Sequence, residues 1–220
     1  MNSFIVQSSE IVTLLGAGPL KDSDFSESMR VAPTLVAVDG GAKKALSHGI
    51  VPFAVIGDFD SLDTSVRTKL PADRLHQIDE QDSTDFDKAL RNVRARLVLA
   101  IGFAGGRLDH ELAVYNVLVR HPDQPVIVIR DQDICFHLNR ALTLTLDEGT
   151  RVSLFPMAKV KCASTGLRWP TDHLTFSPWG RVGTANEAAD RSVTLSPSGP
   201  GLLVILPKTA LDQAISALTD

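Results

Sequence analysis

Cysteine is scarce: two residues in 220, Cys135 and Cys162, each alone in an apolar or mixed stretch. Two isolated thiols make neither a disulfide framework nor a paired metal knuckle, so both are expected in the core of a protein in a reducing setting. An excess of basic charge is missing as well, because 22 Lys and Arg against 26 Asp and Glu leave a formal charge of −4. That balance gives no general attraction to nucleic acid or to an anionic membrane surface, and neither is expected as a partner. No apolar run approaches the roughly 20 residues of a membrane-spanning helix. The opening MNSFIVQSSEIVTLLGAG lacks the basic start and long apolar core of a signal peptide, so a cytoplasmic location is expected. The GxxxxGK[ST] phosphate loop is absent, and GAGPLK at 16–21 lacks the third glycine of a dinucleotide fingerprint.

What is there begins with alternation. EIVTLLGAG, TLVAVDGG, PFAVIGDFDS, RLVLAIGFAGG and PVIVIRD are short apolar runs that end in glycine or aspartate. Unbroken runs of this length suit strands buried on both faces, as in a parallel sheet. Helical segments lie between them. AKKALSHG stops at Gly49, a C-cap signal. In STDFDKALRNV, Phe86, Ala89, Leu90 and Val93 share one face, and in LDHELAVYNVLVRHP the same spacing predicts an apolar face of Leu108, Leu112, Tyr115 and Val119. After about residue 140 the period shortens: Leu142, Leu144 and Leu146 alternate with polar residues, and RSVTLSP and GLLVILP follow around the turn Ser198-Gly199-Pro200-Gly201. The expectation is an α/β N-terminal domain over 1–140 with a mostly parallel, Rossmann-like sheet, then an all-β sandwich over 141–220 that a short helix in TALDQAISALTD closes.

Polar residues gather after the strands of the first half, where open parallel sheets bind ligands. In AVIGDFDSL, Asp58 and Asp60 stand one residue apart. A turn explains that pair in part; a hard divalent cation, which converts the mutual repulsion into binding and then grips phosphate, explains it more fully. DEQDSTDFD at 79–87 adds five acids in nine positions, and helix capping by Thr84 and Asp87 accounts for one or two. With Asp39 brought to the same edge, such crowding calls for Mg²⁺ and substrate phosphates. GGRLDH supplies the opposite charge: Gly105 and Gly106 let backbone N–H groups approach an anion, and Arg107 can form paired hydrogen bonds to phosphate. A metal-dependent glycosyltransferase would account for the DFD stretch but not for the second acidic run with Arg107. A nucleotide sensor without turnover would bind anions more simply through basic residues.

DGGAKKAL, VIGDFDSL, QDSTDFDKAL and GFAGGRLDHELA, in this order and spacing, resemble the thiamine pyrophosphokinases, and STGLRWP and GTAN resemble that family's C-terminal signatures. The resemblance runs over roughly residues 10–207. It implies transfer of the pyrophosphoryl group of ATP to the hydroxyl of thiamine, with release of AMP, by a homodimer with shared active sites. It further implies that Asp58, Asp60 and Asp85 hold Mg²⁺ or its water shell, with Asp39 and Asp82 beside them. Gln81 and Asp85 match positions near the aminopyrimidine. Thr84, Lys88, Arg107, Asp109 and His110 match positions around the triphosphate and the attacking hydroxyl. Trp169 matches the tryptophan that stacks on thiamine from the partner subunit, and Thr184 and Asn186 belong to the same substrate-binding set. Ala185 stands where the family often has serine. The catalytic set implied is Asp58, Asp60, Asp82, Asp85 and Arg107, with either Asp85 or Asp82 orienting or deprotonating the hydroxyl.

Overall fold

The computed structural model describes residues 4–60 and 62–220, which form two compact units, 1–117 and 118–220. This division falls ahead of the change of pattern at residue 140. The first unit contains β1 (Val6–Gln7), β2 (Ile11–Leu15), α1 (Asp22–Val31), β3 (Thr34–Val38), α2 (Gly41–Ser47), β4 (Ala54–Gly57), α3 (Thr64–Arg67), β5 (Leu75–Gln77), α4 (Asp85–Asn92), β6 (Val93–Arg94) and β7 (Leu97–Ile101), with α5 (Leu108–Arg120) next in the chain.

Strand neighbours run β7-β2-β3-β4-β5, and each of these pairings is parallel. β2, β3, β4 and β7 are buried almost throughout, as their unbroken apolar runs require. The chain steps outward from β2 through β3 and β4 to β5, and β7 returns to the other side of β2. The strand order therefore reverses between β2 and β7, the place where open sheets of this kind leave a crevice.

Local chemistry fixes the helix ends. Ile50 N–H donates to Ala45 O and Gly49 N–H to Leu46 O, with Gly49 at φ 72°, the paired bonds of a Schellman stop after α2. Thr84 Oγ1 accepts from Asp87 N–H and caps α4. α4 stops at Asn92, so Val93, expected on the helix face, opens β6 instead and is buried there. α1 escapes the periodicity because it has few apolar residues. Buried Thr13 of β2 ties it down, its hydroxyl donating to Ala32 O at 2.8 Å.

The α5 face differs from expectation. Leu108 and Leu112 are exposed, while Glu111, Val114, Val117 and Leu118 are buried. The helix carries apolar residues on two sides, and Val114, Val117 and Leu118 take the inner one with Glu111 beside them.

The second unit holds β8 (Val126–Ile129), β9 (Asp133–Leu138), β10 (Leu142–Thr145), β11 (Arg151–Pro156), β12 (Val160–Thr165), β13 (Thr175–Phe176), β14 (Gly183–Glu187), β15 (Ser192–Pro197), β16 (Leu202–Pro207) and α6 (Leu211–Thr219). Its strands pair antiparallel in two series, β14-β11-β16-β9-β8 and β10-β15-β12-β13. The unit is β-rich, and α6 stands where the short closing helix was expected in TALDQAISALTD. Cys135 and Cys162 are buried thiols, and burial pushes the Cys162 thiol up to about 11, the state of an inert core thiol. Among the described residues no helix is long and apolar enough to cross a membrane.

Candidate active site

The ends of β2, β3, β4 and β7 surround a cavity of about 800 Å³ in the first unit. One wall is acidic. Asp39 ends β3 in a left-handed conformation, φ 45°, which aspartate tolerates better than most residues. Gly57 makes room for it, since a Cβ there would sit 3.0 Å from that of Asp39. Phe59, also left-handed at φ 67°, is buried with Ala37, Ala42, Val55, Leu62, Val66 and Leu70. Anchoring Phe59 in that cluster fixes the segment that carries Asp58 and Asp60.

The two acids then part ways. Asp58 Oδ1 accepts from Asp60 N–H at 3.1 Å, and its Oδ2 accepts from Lys88 Nζ at 2.7 Å. Asp60 lies exposed at the rim of the cavity. Asp39, Asp58 and Asp85 each offer a carboxylate oxygen, all within 4.8 Å of one another. Three hard oxygen donors at that spacing fit a divalent cation such as Mg²⁺ or Ca²⁺. The grouping takes in Asp39 alongside Asp58 and Asp85, with Asp60 outside it.

Lys88 is the structural key to the cluster. Its side chain is 1% exposed and its ammonium bridges Asp58 and Asp85, the latter at 3.2 Å. Burial alone would lower its pKa, but the hydrogen bonds to Asp58 and Asp85 outweigh that, and the net direction is up. The same hydrogen bond holds the Asp58 carboxyl below the usual range. Asp85 moves the other way: burial raises it, against the pull of Lys88, and the charges of Asp58 and Asp39 add to the rise. Three carboxylates against one ammonium leave the wall anionic.

The opposite wall is backbone and glycine. Gly16 N–H donates to Ile101 O and Gly18 N–H to Gly102 O, so the loops after β2 and β7 touch main chain to main chain. A Cβ on Gly16 would meet Gly102 O at 2.5 Å, which explains the glycines of GAGPLK without any dinucleotide fingerprint. Lys44 Nζ donates to Gly18 O, and burial lowers its pKa. Gly106, Arg107 and His110 continue this side, with Phe86 and Phe103 as an aromatic pair whose ring centroids are 4.6 Å apart. Arg107 is exposed and hydrogen-bonds Asp109 at 2.6 Å, which holds the guanidinium raised and the carboxyl lowered.

Of the residues singled out from sequence, Asp39, Asp58, Asp60, Thr84, Asp85, Arg107 and His110 line this cavity. Lys88 lies behind it on the carboxylates. Gln81 and Asp82 are exposed on the segment before α4, and Asp109 is exposed beside Arg107. Sequence reasoning missed Lys44 and Glu111, both of which look like ordinary charges of an exposed helix face.

In the second unit, Asn186 is buried and clamps Trp169: its Oδ1 accepts from Trp169 N–H at 3.2 Å and its Nδ2 donates to Trp169 O at 2.7 Å. The indole is half exposed, with the Arg168 guanidinium over its ring at 5.0 Å. Thr184 is exposed on β14. Ala185 is left-handed at φ 59°, and its N–H donates to Ser153 Oγ at 3.0 Å.

Residues 25–129 match the family description "Thiamin pyrophosphokinase, catalytic domain", and residues 137–200 match "Thiamin pyrophosphokinase, vitamin B1 binding domain". This chain belongs to the thiamin pyrophosphokinase family. Thiamine pyrophosphokinase 1 of Oryza sativa subsp. japonica is 27% identical over 169 residues, which are 66% of this chain and 62% of the rice protein. This chain thus spans about six-tenths of the length of its first rice relatives. Thiamin pyrophosphokinase 1 of Caenorhabditis elegans is 26% identical, with 84% of each chain covered. The solved thiamin pyrophosphokinase of Geobacillus thermodenitrificans superposes with a TM-score of 0.71 at 27% identity, over 90% of this chain and 96% of that one. The fold of the Candida albicans thiamin pyrophosphokinase is similar too, with a TM-score of 0.76 at 15% identity over 94% and 95% of the two chains.

Proposed function

We propose that the protein transfers the pyrophosphoryl group of ATP to the hydroxyl of thiamine, giving thiamine diphosphate and AMP, with Mg²⁺ as the metal. The observation that carries this reading is the carboxylate trio Asp39, Asp58 and Asp85 facing a glycine and arginine wall across one cavity, in a chain of this family. The trio would hold the cation, with Asp60 at the rim within reach of its water shell. Held there, a divalent cation would supply charge neutralisation for the phosphate oxygens.

The protein's own groups do the rest. The glycines of the loops at 16–18 and at Gly106 let the phosphate chain lie close to the main chain, and Arg107 and His110 meet its oxygens. Lys88 keeps Asp58 and Asp85 in place from below. Asp85 lines the cavity and Asp82 is exposed outside the described lining, which favours Asp85 as the group that orients or deprotonates the hydroxyl. Thr84 caps the helix that carries Asp85, while Gln81 and Asp109 flank the same edge. In this reading the region 1–140 binds ATP and metal. The region 141–220 serves thiamine binding and dimerisation, and Trp169, fixed by Asn186 with Thr184 nearby, stacks on the cationic ring. The assembly is a cytoplasmic homodimer with shared sites.

The test is a coupled assay of AMP release from ATP and Mg²⁺, with and without thiamine and a panel of thiamine analogues. AMP formed only with an acceptor bearing the hydroxyl supports the reading. Formation of ADP, or nucleotide cleavage independent of thiamine, overturns it.

A further inference from the structure

Glu111 is an acidic residue on α5 that the reaction described above does not use, and it is buried at 8% exposure. Its carboxylate is fully engaged within the protein. Oε2 accepts from Gly105 N–H at 2.8 Å and Oε1 accepts from the Tyr115 hydroxyl at 2.9 Å. Its own N–H donates to Arg107 O at 3.1 Å. The side chain therefore ties the loop to α5 at Gly105, while the main-chain bond to Arg107 is the first turn of the helix and is kept whatever residue stands at 111.

That loop needs holding. Gly105 sits at φ 81°, a conformation that glycine adopts freely along with many others, so the glycine alone does not fix the loop. On the far side, a Cβ on Gly106 would meet Pro19 Cδ at 3.2 Å, so the loop rests against the segment that follows Gly18. Gly106 and Arg107 both line the cavity. A charge-assisted bond from a buried carboxylate to a loop N–H is a strong restraint.

We propose that Glu111 is a positioning residue for the anion-binding wall, holding Gly106 and Arg107 where the phosphates of the nucleotide arrive. The inference rests on the reading of the cavity as a nucleotide site. Glu111 touches neither substrate; it acts by fixing the backbone that does. The effect should therefore fall on the nucleotide and spare the acceptor.

The experiment compares Glu111→Ala with Glu111→Gln in the full chain. Glutamine keeps the geometry, since its carbonyl oxygen accepts from Gly105 N–H and its amide donates to the Tyr115 oxygen, which can act as acceptor. Kinetics with ATP and thiamine varied separately, and calorimetric titration of ATP with Mg²⁺, give the two readouts. Glu111→Ala should raise KM and Kd for ATP by roughly tenfold, the loss of one charge-assisted hydrogen bond, with KM for thiamine within about twofold of wild type. Glu111→Gln should recover most of the ATP affinity. Equal losses for both substrates, or equal losses in both variants, would mean a merely structural role and overturn the proposal. If Glu111→Ala does not fold, Glu111→Gln with Tyr115→Phe as partner decides: glutamine at wild-type ATP affinity and Tyr115→Phe weakened selectively for ATP support it, and the reverse sinks it. Wild-type turnover judges the proposed reaction separately. ATP binding without thiamine turnover would remove that reaction and leave the Glu111 comparison standing, and a wild type that binds no ATP would remove both.

Discussion

Asp58 and Asp60 are neighbours in a three-residue motif, yet their neutralisation should read out differently. Asp58 shares a 2.7 Å hydrogen bond with an ammonium that is 1% exposed, whereas Asp60 lies at the rim. Asp58→Asn removes one of the two carboxylates on buried Lys88 and leaves Asp85 in place, so the loss should be that of one charge-assisted hydrogen bond, about 1.5 kcal/mol. Asp60→Asn touches an exposed side chain and should stay within about 0.5 kcal/mol of wild type. Urea unfolding at pH 7 without metal is the check, and equal stabilities for the two variants would remove Lys88 as the counter-ion of Asp58. The sign with pH follows. Asp58 has its pKa lowered in the folded state by the Lys88 hydrogen bond, so its stabilisation is present above the ordinary carboxylate range and fades as pH falls through the folded value. The Asp58→Asn protein should lose less stability over that acid window than wild type. Both substitutions are expected to lower turnover, so stability and not activity separates the two residues.

Elements were legible where one pattern had one solution. The apolar strands β2, β3, β4 and β7 admit only burial on both faces, and α2 and α4 carry a glycine stop and a threonine cap in the sequence itself. α5 was not legible in the same way, because Leu108 and Leu112 compete with Val114, Val117 and Leu118 for the inner side, and a buried acid such as Glu111 on that side runs against any hydrophobic period. The site follows the same division. That acids crowd one sheet edge can be seen in GDFD and DSTDFD, but that Lys88 lies beneath them is a matter of where β4 and α4 meet. A second case of hidden pairing gives an element-scale prediction. His137 of β9 accepts from Gly201 N–H through Nε2 at 2.9 Å, just ahead of β16, and burial lowers its pKa. An accepting Nε2 is an unprotonated one. A depressed folded pKa means that the contribution is whole above the unfolded value of about 6.5 and is lost as pH falls through the folded one. His137→Gln retains an acceptor without titrating. The difference in urea midpoint between wild type and His137→Gln should therefore shift against wild type on going from pH 7.5 to lower pH. Parallel pH profiles for the two proteins would show that this histidine is not linked to folding.

At the scale of the molecule, the proposed reaction divides its groups between units: the carboxylate trio belongs to the first and the clamped Trp169 to the second. The proposed homodimer with shared sites makes a statement that neither unit makes alone, namely that one subunit's acids work with its partner's tryptophan. Subunits carrying Asp58→Asn and subunits carrying Trp169→Ala are each weak as homodimers under this proposal. In a mixed dimer one site then receives both lesions and the other receives none, so activity should return toward half of wild type per mixed dimer. Sites built within single subunits would each keep one lesion, and nothing would be recovered. Removal of one aromatic face from a cation costs about 0.5–2 kcal/mol, a few-fold to about thirtyfold in affinity, so the comparison belongs at subsaturating thiamine. One face of the indole is already taken by the Arg168 guanidinium, so under this proposal the cationic ring stacks on the other. Co-expression with two different affinity tags isolates the mixed species, and AMP release per dimer is the measurement. Recovery clearly above the mean of the two parent homodimers supports the shared arrangement; activity at that mean in verified mixed dimers rules it out.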